Sequence, residues 1–399
     1  MNKKKITIIL MVFLAIFSTI MLVVNRDNVE ITNEVGNKSK KSNNLLTMNL
    51  EQTAGAGDYK TVTQSEWPTE GYKFNSELSR CENGSELSWD DVNKKILMSG
   101  VSADKCYVYF DIARFDKLCN TSTLACHVAK LYTGTQGENG IYYHNASLTN
   151  GAGDNNYRYA GANPNNYICL GSDATTCPDD NLFRIIGVFG DKVKVIRDKS
   201  VVKMHWDTRD NTWSISSLNT YLNGTYLTSI GTLSDKIDMA TWKVGGNTWD
   251  NISVSTAKEV YDYEIKNPST TASTGETEYS AKIGLMYVSD YMFAVLQDNW
   301  TLVAYNSNDA TKDYRAVKAE NWLYLGSDEY TITRSSKYSG DVFAIYSSGE
   351  VYSYSVSCGS GEPLPCSAYA KYARPSFYLI SSVEYSGGTG TSSDPIRIK

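Results

Sequence analysis

The pattern of apolar and polar positions begins with one long apolar run. Residues 6–24 are apolar or weakly polar throughout, and Lys3, Lys4 and Lys5 precede them. A run of this length can cross the roughly 30 Å core of a bilayer as a helix, and the lysines predict a cytoplasmic N-terminus. We therefore expect residues 1–24 to form an uncleaved signal anchor of a single-pass cell-membrane protein, with the bulk of the chain extracytoplasmic. A cleaved signal peptide is the alternative, although no small-x-small pair ends the run.

Residues 25–65 are mostly polar, and we expect a stalk that lacks enough apolar surface to fold alone. From residue 66 onward apolar and polar residues alternate, which is the period of a half-buried strand. The segments 86–89, 95–99 and 106–110 show this alternation most clearly. It predicts a small all-β module over residues 66–110, close to the lower size limit for independent folding.

Residues 111–180 combine a predicted helix with long loops. Leu124, Val128 and Leu131 share one helical face, and Gly134 predicts the end of that helix. The residues after it are rich in Gly, Asn, Asp and Tyr and poor in aliphatic side chains. That composition predicts long, structured loops with short strands.

The largest predicted domain is residues 181–399. Its first apolar segments, 182–189 and 193–197, flank a Gly-Asp turn and predict a β-hairpin. Residues 216–224 predict a helix that begins at a serine cap and ends at a glycine. The later segments resemble short strands, and helices are few. This mixture predicts an α+β fold.

Composition and charge limit the classes of function. Of the 399 residues, 41% are hydrophobic and 21% are charged, which is typical of a chain that folds. The net charge of −6 argues against an electrostatically driven nucleic-acid binder. The chain contains 29 tyrosines, as many as glycines. Such an excess indicates either half-buried strand positions or a surface built for contact.

One group of tyrosines lies among Asn, Gly and Asp residues in the segment 142–167. Rigid amphipathic rings beside adaptable polar side chains are typical of binding surfaces and also suit stacking on sugars. Aromatic pairs that stabilise a half-exposed sheet are the alternative. The tyrosines predicted to contact a ligand are Tyr142, Tyr143, Tyr157, Tyr159 and Tyr167.

Eight cysteines indicate an oxidising compartment. Pairing between neighbours along the chain is the simplest of many possibilities, because short loops close easily. Within one helix Cys119 and Cys126 would lie about 10 Å apart, too far for a disulfide, so a bend at residues 120–122 is required. A metal site is the alternative, but no C-x₂-C pair or zinc-finger histidine spacing supports it. The predicted disulfides join Cys81 with Cys106, Cys119 with Cys126, Cys169 with Cys177, and Cys358 with Cys366.

The sequence carries no familiar catalytic motif. It lacks the G-x-S-x-G, H-E-x-x-H, Walker and G-x-G-x-x-G patterns, and its three histidines leave few general bases. His205 precedes Trp206 and Asp207, and a neighbouring carboxylate raises the pKa of an imidazole; a surface histidine in a loop is the alternative. The acidic loops lack EF-hand spacing for calcium. We therefore predict no catalytic residue, no metal site and no cofactor.

Residues 183–189 read F-R-I-I-G-V-F, residues 218–223 read L-N-T-Y-L-N, and residues 373–379 read A-R-P-S-F-Y-L. Residues 157–167 and the glycine-rich tail at 387–395 add two further matches in the same order. Together these segments resemble an uncharacterised extracytoplasmic domain family of Gram-positive bacteria of the gut Firmicutes type. The resemblance implies a C-type-lectin-like or formylglycine-generating-enzyme-like C-terminal domain with a loop-rich binding face. It implies no known activity, and the family's pilin motif is missing ahead of the apolar run.

These observations predict a membrane-anchored bacterial cell-surface protein with a binding or adhesion role rather than catalysis. Its expected partners are the membrane, through residues 6–24, and a glycan or protein ligand on the Tyr/Asn-rich loops, with no nucleic acid. A structural or pilin-like assembly subunit is an alternative function. An enzyme acting on surface glycans is another, because a glycosidase needs only two carboxylates placed across a sugar.

Overall fold

Short strands and a few short helices make up the described part of the chain in the computed structural model. The structure describes residues 29–31, 45–52, 57–63, 67, 72–90, 93–101, 103–119, 121–207, 210–247, 252–268, 276–356 and 370–399. Within these ranges no helix has the length and apolar character needed to cross a membrane. Residues 6–24, on which the predicted transmembrane helix rests, lie outside them. We therefore correct the prediction of a signal-anchored, single-pass membrane protein, which this finding does not support.

The chain divides into two compact units, residues 1–118 (unit 1) and residues 119–399 (unit 2). The elements of unit 1 are β1 (Val29–Ile31), β2 (Leu45–Glu51), β3 (Tyr59–Val62), β4 (Tyr72–Phe74), β5 (Arg80–Cys81), β6 (Glu86–Asp90), β7 (Lys95–Ser99), β8 (Lys105–Ile112) and α1 (Phe115–Leu118). In one sheet β8 pairs in parallel with β2 and antiparallel with β4 and β5, while β3 pairs with β2. In a second sheet β7 lies between β1 and β6.

Alternating apolar residues build the core of unit 1. The buried core residues are Met48, Leu50, Ile96, Val108 and Phe110, and Leu46, Val62, Trp67, Tyr72, Phe74, Leu87 and Trp89 pack against them. Strands β2 and β3 therefore belong to the folded unit, although the polar composition of residues 25–65 predicts a stalk. The prediction missed them because β8, the partner of β2, lies far along the chain and local composition does not reveal it.

Unit 2 contains most of the strands. They are β9 (Ile141–Tyr143), β10 (Tyr157–Tyr159), β11 (Tyr167–Cys169), β12 (Leu182–Phe189), β13 (Lys192–Arg197), β14 (Val202–Met204), β15 (Ala240–Lys243), β16 (Gly246–Asn247), β17 (Glu278–Ala281), β18 (Ile283–Gly284), β19 (Glu329–Ser335), β20 (Asp341–Ile345), β21 (Val351–Ser355), β22 (Lys371–Ala373), β23 (Ser376–Tyr378), β24 (Tyr385–Gly387) and β25 (Arg397–Ile398). The predicted hairpin is confirmed, since β12 and β13 pair antiparallel around the Gly-Asp turn.

Two larger sheets organise unit 2. The seven-stranded sheet has the order β18-β23-β13-β12-β10-β9, with β11 also paired to β12. The six-stranded sheet has the order β14-β22-β19-β20-β21, with β16 also paired to β19. Only Arg374 and Pro375 separate β22 from β23, so the chain passes directly from one sheet to the other. Two further pairs, β15 with β17 and β24 with β25, lie outside these sheets.

The helices of unit 2 are short. They are α2 (Leu124–Ala129), α3 (Ser217–Tyr221), α4 (Leu227–Ser229), α5 (Ala257–Tyr261) and α6 (Val288–Phe293), with π turns at Leu222–Tyr226 and Asp262–Lys266 and 3₁₀ turns at Glu138–Gly140, Asp179–Asn181, Gly231–Lys236, Gln297–Asn299, Ala310–Lys312 and Lys318–Glu320. The predicted cap of α3 is present, because the Ser216 hydroxyl accepts a hydrogen bond from the Asn219 amide at 3.0 Å. The helical run then continues past Gly224 through a π turn.

The predicted fold class is wrong. We expected an α+β, C-type-lectin-like domain over residues 181–399, whereas the described residues are mostly sheet with few short helices. The helical segments are rich in Ser, Thr, Asn, Gly and Tyr, which have low or middling helix propensity. Most of the long apolar side chains lie in strands or in loops packed on them. Helical periodicity in a few short segments therefore led to an α+β prediction with too much helix.

The first and last segments of unit 2 are hydrogen-bonded to each other. The Leu124 amide donates to the Val383 carbonyl at 2.8 Å, and the Tyr385 amide donates to the Ser122 carbonyl at 2.9 Å. The chain then returns through β25, which pairs antiparallel with β24. Unit 2 thus begins and ends at one place on its surface.

Candidate functional site

Four of the five tyrosines predicted to contact a ligand are buried. Tyr142, Tyr143, Tyr157 and Tyr159 lie in the paired strands β9 and β10 and are 6%, 3%, 1% and 2% exposed. The rings of Tyr143 and Tyr157 lie 4.8 Å apart, and the Tyr142 ring lies 5.2 Å from that of Trp300. These tyrosines therefore pack in the core and do not form an exposed contact surface. Local composition misled the prediction, because burial depends on segments distant in sequence.

The fifth tyrosine, Tyr167, is half-buried at the start of β11. The guanidinium carbon of Arg184 lies 4.0 Å from the centre of its ring, a cation–π arrangement. Its hydroxyl donates to the Asn163 side chain at 3.3 Å. The structure therefore does not bring the five tyrosines together into one ligand-facing group.

A buried ionic network lies beside this aromatic cluster. Arg158 donates two hydrogen bonds to the Asp154 carboxylate, at 2.9 and 2.6 Å, and the Tyr261 hydroxyl donates a third at 2.8 Å. Burial opposes ionisation of Asp154, but the adjacent guanidinium outweighs it and holds the pKa of that carboxyl below its usual range. The nearby His144 is fully buried, and desolvation lowers its pKa well below the ordinary value.

A second buried group surrounds the start of α6. Lys194 forms an ion pair with Asp290 at 2.5 Å, and both side chains are almost completely buried. Glu264 accepts hydrogen bonds from the Ser289 amide at 2.7 Å and the Thr333 hydroxyl at 2.6 Å. Burial raises the pKa of Glu264 to about 7. Because these groups are buried and paired with one another, they join strands and helices and do not face a ligand.

The carboxylate of Asp207, two residues after His205, is bound to the start of α3. It accepts hydrogen bonds from the amide and the hydroxyl of Ser217.

Three predicted disulfides are confirmed: Cys81–Cys106, Cys119–Cys126 and Cys169–Cys177. The fourth predicted pair, Cys358 with Cys366, lies outside the described residues. Asp104 lies close to the sulfurs of Cys81 and Cys106, but these are bonded to each other and are not free to ligate a metal.

An open cleft in unit 2 offers room for a ligand. Its volume is about 500 Å³, within the range of small-molecule sites. Three elements form its walls: the loop closed by Cys169–Cys177, the 3₁₀ turn Gly231–Lys236, and the β24–β25 pair. Its lining is dominated by small and polar side chains, with hydroxyls from Ser172, Thr175, Thr232 and Ser386. The walls therefore offer hydrogen bonds from several directions.

Hydrogen bonds fix the walls of the cleft to one another. The Cys169 amide donates to the Ile396 carbonyl at 2.9 Å, which ties β11 to the segment leading into β25. The Asn181 side chain donates to the Leu170 carbonyl at 2.7 Å and holds the base of the disulfide loop. Gly171 has a φ of +71°, and a Cβ there would meet the Asn181 side chain at 3.2 Å. A glycine is therefore needed where the loop approaches its neighbours.

Three charged residues line the cleft: Arg397, Lys236 and Asp173. Arg397 donates to the carbonyls of Ser172 at 3.2 Å and Thr175 at 3.0 Å, so its guanidinium is held against the disulfide loop. No ion pair joins Arg397 or Lys236 to a carboxylate of the described residues. The cleft therefore carries two cations and one exposed carboxylate in a protein whose net charge is −6.

Comparison with protein-family models, with curated proteins and with solved structures finds no match for this chain. The resemblance to an extracytoplasmic domain family of Gram-positive bacteria accordingly stays a prediction.

Sequence reasoning did not find the cleft. Neither Lys236 nor Arg397 belongs to a recognisable sequence motif. Both come close to the disulfide loop only in the folded unit. One signal was available, because the predicted disulfide Cys169–Cys177 closes a short loop that contains Ser, Thr and Asp. A constrained polar loop is a common site of recognition.

Proposed function

We propose that this chain is a binding protein whose ligand, a glycan, lies in the cleft between the disulfide loop, the Gly231–Lys236 turn and the β24–β25 pair. The observation that carries the proposal is an open cleft of about 500 Å³ with hydroxyl and charged side chains on three walls. Sugars are recognised through many directional hydrogen bonds, which such side chains supply. The volume suits one or two sugar rings.

The disulfides support a role in an oxidising environment such as the exterior of a cell. One of them, Cys169–Cys177, closes the loop that forms a wall of the cleft. A covalently closed loop loses little conformational entropy on binding, so the wall is organised before the ligand arrives. Binding without turnover agrees with the ion pairs of Asp154 with Arg158 and of Asp290 with Lys194, which occupy these carboxylates away from the cleft.

The test is a glycan array probed with the full chain. Thr232→Trp places an indole at an exposed position on the cleft wall, and Thr241→Trp is the matched control on an exposed position of β15. We expect the natural chain and the control to bind the same glycans, and Thr232→Trp to lose that binding. An array without a bound glycan, or binding that Thr232→Trp leaves unchanged, would overturn the proposal.

A further inference from the structure

We infer that the cleft selects glycans that carry a carboxylate, such as uronic or sialic acids. This inference rests on the proposed function, because it names the class of ligand for the same cleft. It is carried by the placement of two cations, Arg397 and Lys236, on walls that otherwise present hydroxyls.

Arg397 is positioned to bind a carboxylate. Its side chain is half-buried, and the carbonyls of Ser172 and Thr175 accept two of the hydrogen bonds that the guanidinium can donate. A guanidinium has five N–H donors in a fixed planar arrangement, so donors remain for a ligand. Carbonyls orient the group without neutralising its charge. An oriented guanidinium that keeps its charge is the preferred partner of a carboxylate in proteins.

Lys236 places a second cation on another wall. It ends the 3₁₀ turn Gly231–Lys236, and its backbone carbonyl accepts a hydrogen bond from the Ile380 amide at 3.0 Å, which fixes the base of its side chain. Within the described part of the chain its ammonium group forms no ion pair. The neighbouring lysines differ: Lys192 pairs with Asp238, and Lys282 donates to the Ser234 carbonyl. Lys236 is therefore available to a ligand.

Asp173 is the one carboxylate among the lining residues. It lies in the exposed part of the disulfide loop, whereas Arg397 and Lys236 are half-buried. A charge in open solvent is screened more strongly than one at a partly buried position. The two half-buried cations consequently outweigh the exposed carboxylate, while the hydroxyls of Ser172 and Thr232 remain for the neutral parts of a sugar.

The test uses an array of uronic- and sialic-acid oligosaccharides, each printed beside its carboxyl-reduced counterpart. We expect an acidic glycan to bind at least about tenfold more tightly than its reduced form, as a charge-assisted hydrogen bond implies. Lys236→Gln should lower that preference, because it removes one of the two cations that line the cleft. Lys60→Gln, which removes an exposed lysine of unit 1, should have no effect.

The outcomes separate the inference from the proposed function. Equal binding of acidic and reduced glycans, lost in Thr232→Trp, would overturn the inference and keep the cleft as a glycan site. A preference that Lys236→Gln leaves intact would also overturn it. If the natural chain bound no glycan of either kind, the proposed function itself would fail. A preference for acidic glycans that weakens as salt rises from about 0.05 to about 0.5 M would support an electrostatic interaction between the carboxylate and the two cations.

Discussion

The buried carboxyl of Glu264 should make unit 2 less stable as pH rises toward neutrality. In the folded protein burial raises the pKa of Glu264 from 4.5 to about 7. The unfolded chain releases this proton near pH 4.5, whereas the folded chain keeps it until about pH 7. Between these values the folded state binds the extra proton, so the stability contributed by this group falls as pH increases. The contribution is complete below pH 4.5 and is lost above pH 7.

The expected magnitude follows from the same two pKa values. Each pKa unit corresponds to about 1.4 kcal/mol, so the rise to about 7 corresponds to a loss of about 3 kcal/mol in unfolding free energy between pH 4.5 and pH 8. Asp290 adds to the rise because its negative charge faces Glu264. His144 acts in the opposite direction, since its lowered pKa destabilises the folded state as pH falls below about 6.5. The raw pH profile therefore combines several groups.

A variant isolates the contribution of Glu264. Glu264→Gln keeps the shape and an acceptor for the Ser289 amide but cannot ionise. Urea unfolding of both proteins between pH 4.5 and pH 8, followed through the buried tryptophans of unit 2 and fitted with one transition for each unit, gives the difference at each pH. We expect the difference between variant and natural chain to change by about 3 kcal/mol in favour of the variant across this range.

The matched control is Glu320→Gln, which neutralises an exposed carboxyl that accepts one hydrogen bond from Asn299 at 3.1 Å. Its stability difference should stay level across the same range. If the difference for Glu264→Gln also stayed level within about 0.5 kcal/mol, the carboxyl would be ionised or solvated in the folded protein. The interpretation of this buried group would then be wrong.

Three further predictions concern the ion pairs, the disulfide loop and its glycine. Arg374→Met leaves the buried Glu329 without its ionic partner and should cost about 3–5 kcal/mol of unfolding free energy in urea titrations; a loss below about 1 kcal/mol would contradict the pairing. Replacing both cysteines of Cys169–Cys177 by serine should weaken glycan binding in the cleft while the near-UV circular dichroism of unit 2 persists. Gly171→Ala should be more destabilising than Gly190→Ala, because both glycines have positive φ but only Gly171 has neighbours within 4 Å; equal melting temperatures would refute this.

The elements that depend on neighbours in sequence were predictable. The hairpin of β12 and β13 follows from two apolar segments and one Gly-Asp turn, and nothing distant is needed to recognise it. The three confirmed disulfides also join cysteines close along the chain, with separations of 25, 7 and 8 residues. The bend required for Cys119–Cys126 is present, since α2 begins only at Leu124 after its Thr123 cap. Local chemistry was sufficient in each case.

The elements that depend on distant partners were not predictable. Strand β2 becomes a strand by pairing with β8, and the alternation in the predicted stalk is too short to indicate it alone. The tyrosines of β9 and β10 stand among loop-forming residues, yet they are buried, with Tyr142 against Trp300 and Tyr143 against Tyr157. The cleft brings residue 172 together with residues 236 and 397. Such a site is a property of the tertiary structure, so no spacing in the sequence marks it.

The hydrogen-bonded meeting of residues 122–124 with residues 383–385 has a consequence for engineering. A domain whose two ends touch can be inserted into a loop of another protein with short linkers, and neither partner has to stretch. The same geometry permits a circular permutant in which a short linker joins residue 399 to residue 119 and new ends open in an exposed loop elsewhere. Unit 2 is therefore suited to transplantation as a unit, for example as an insertion in a fluorescent reporter.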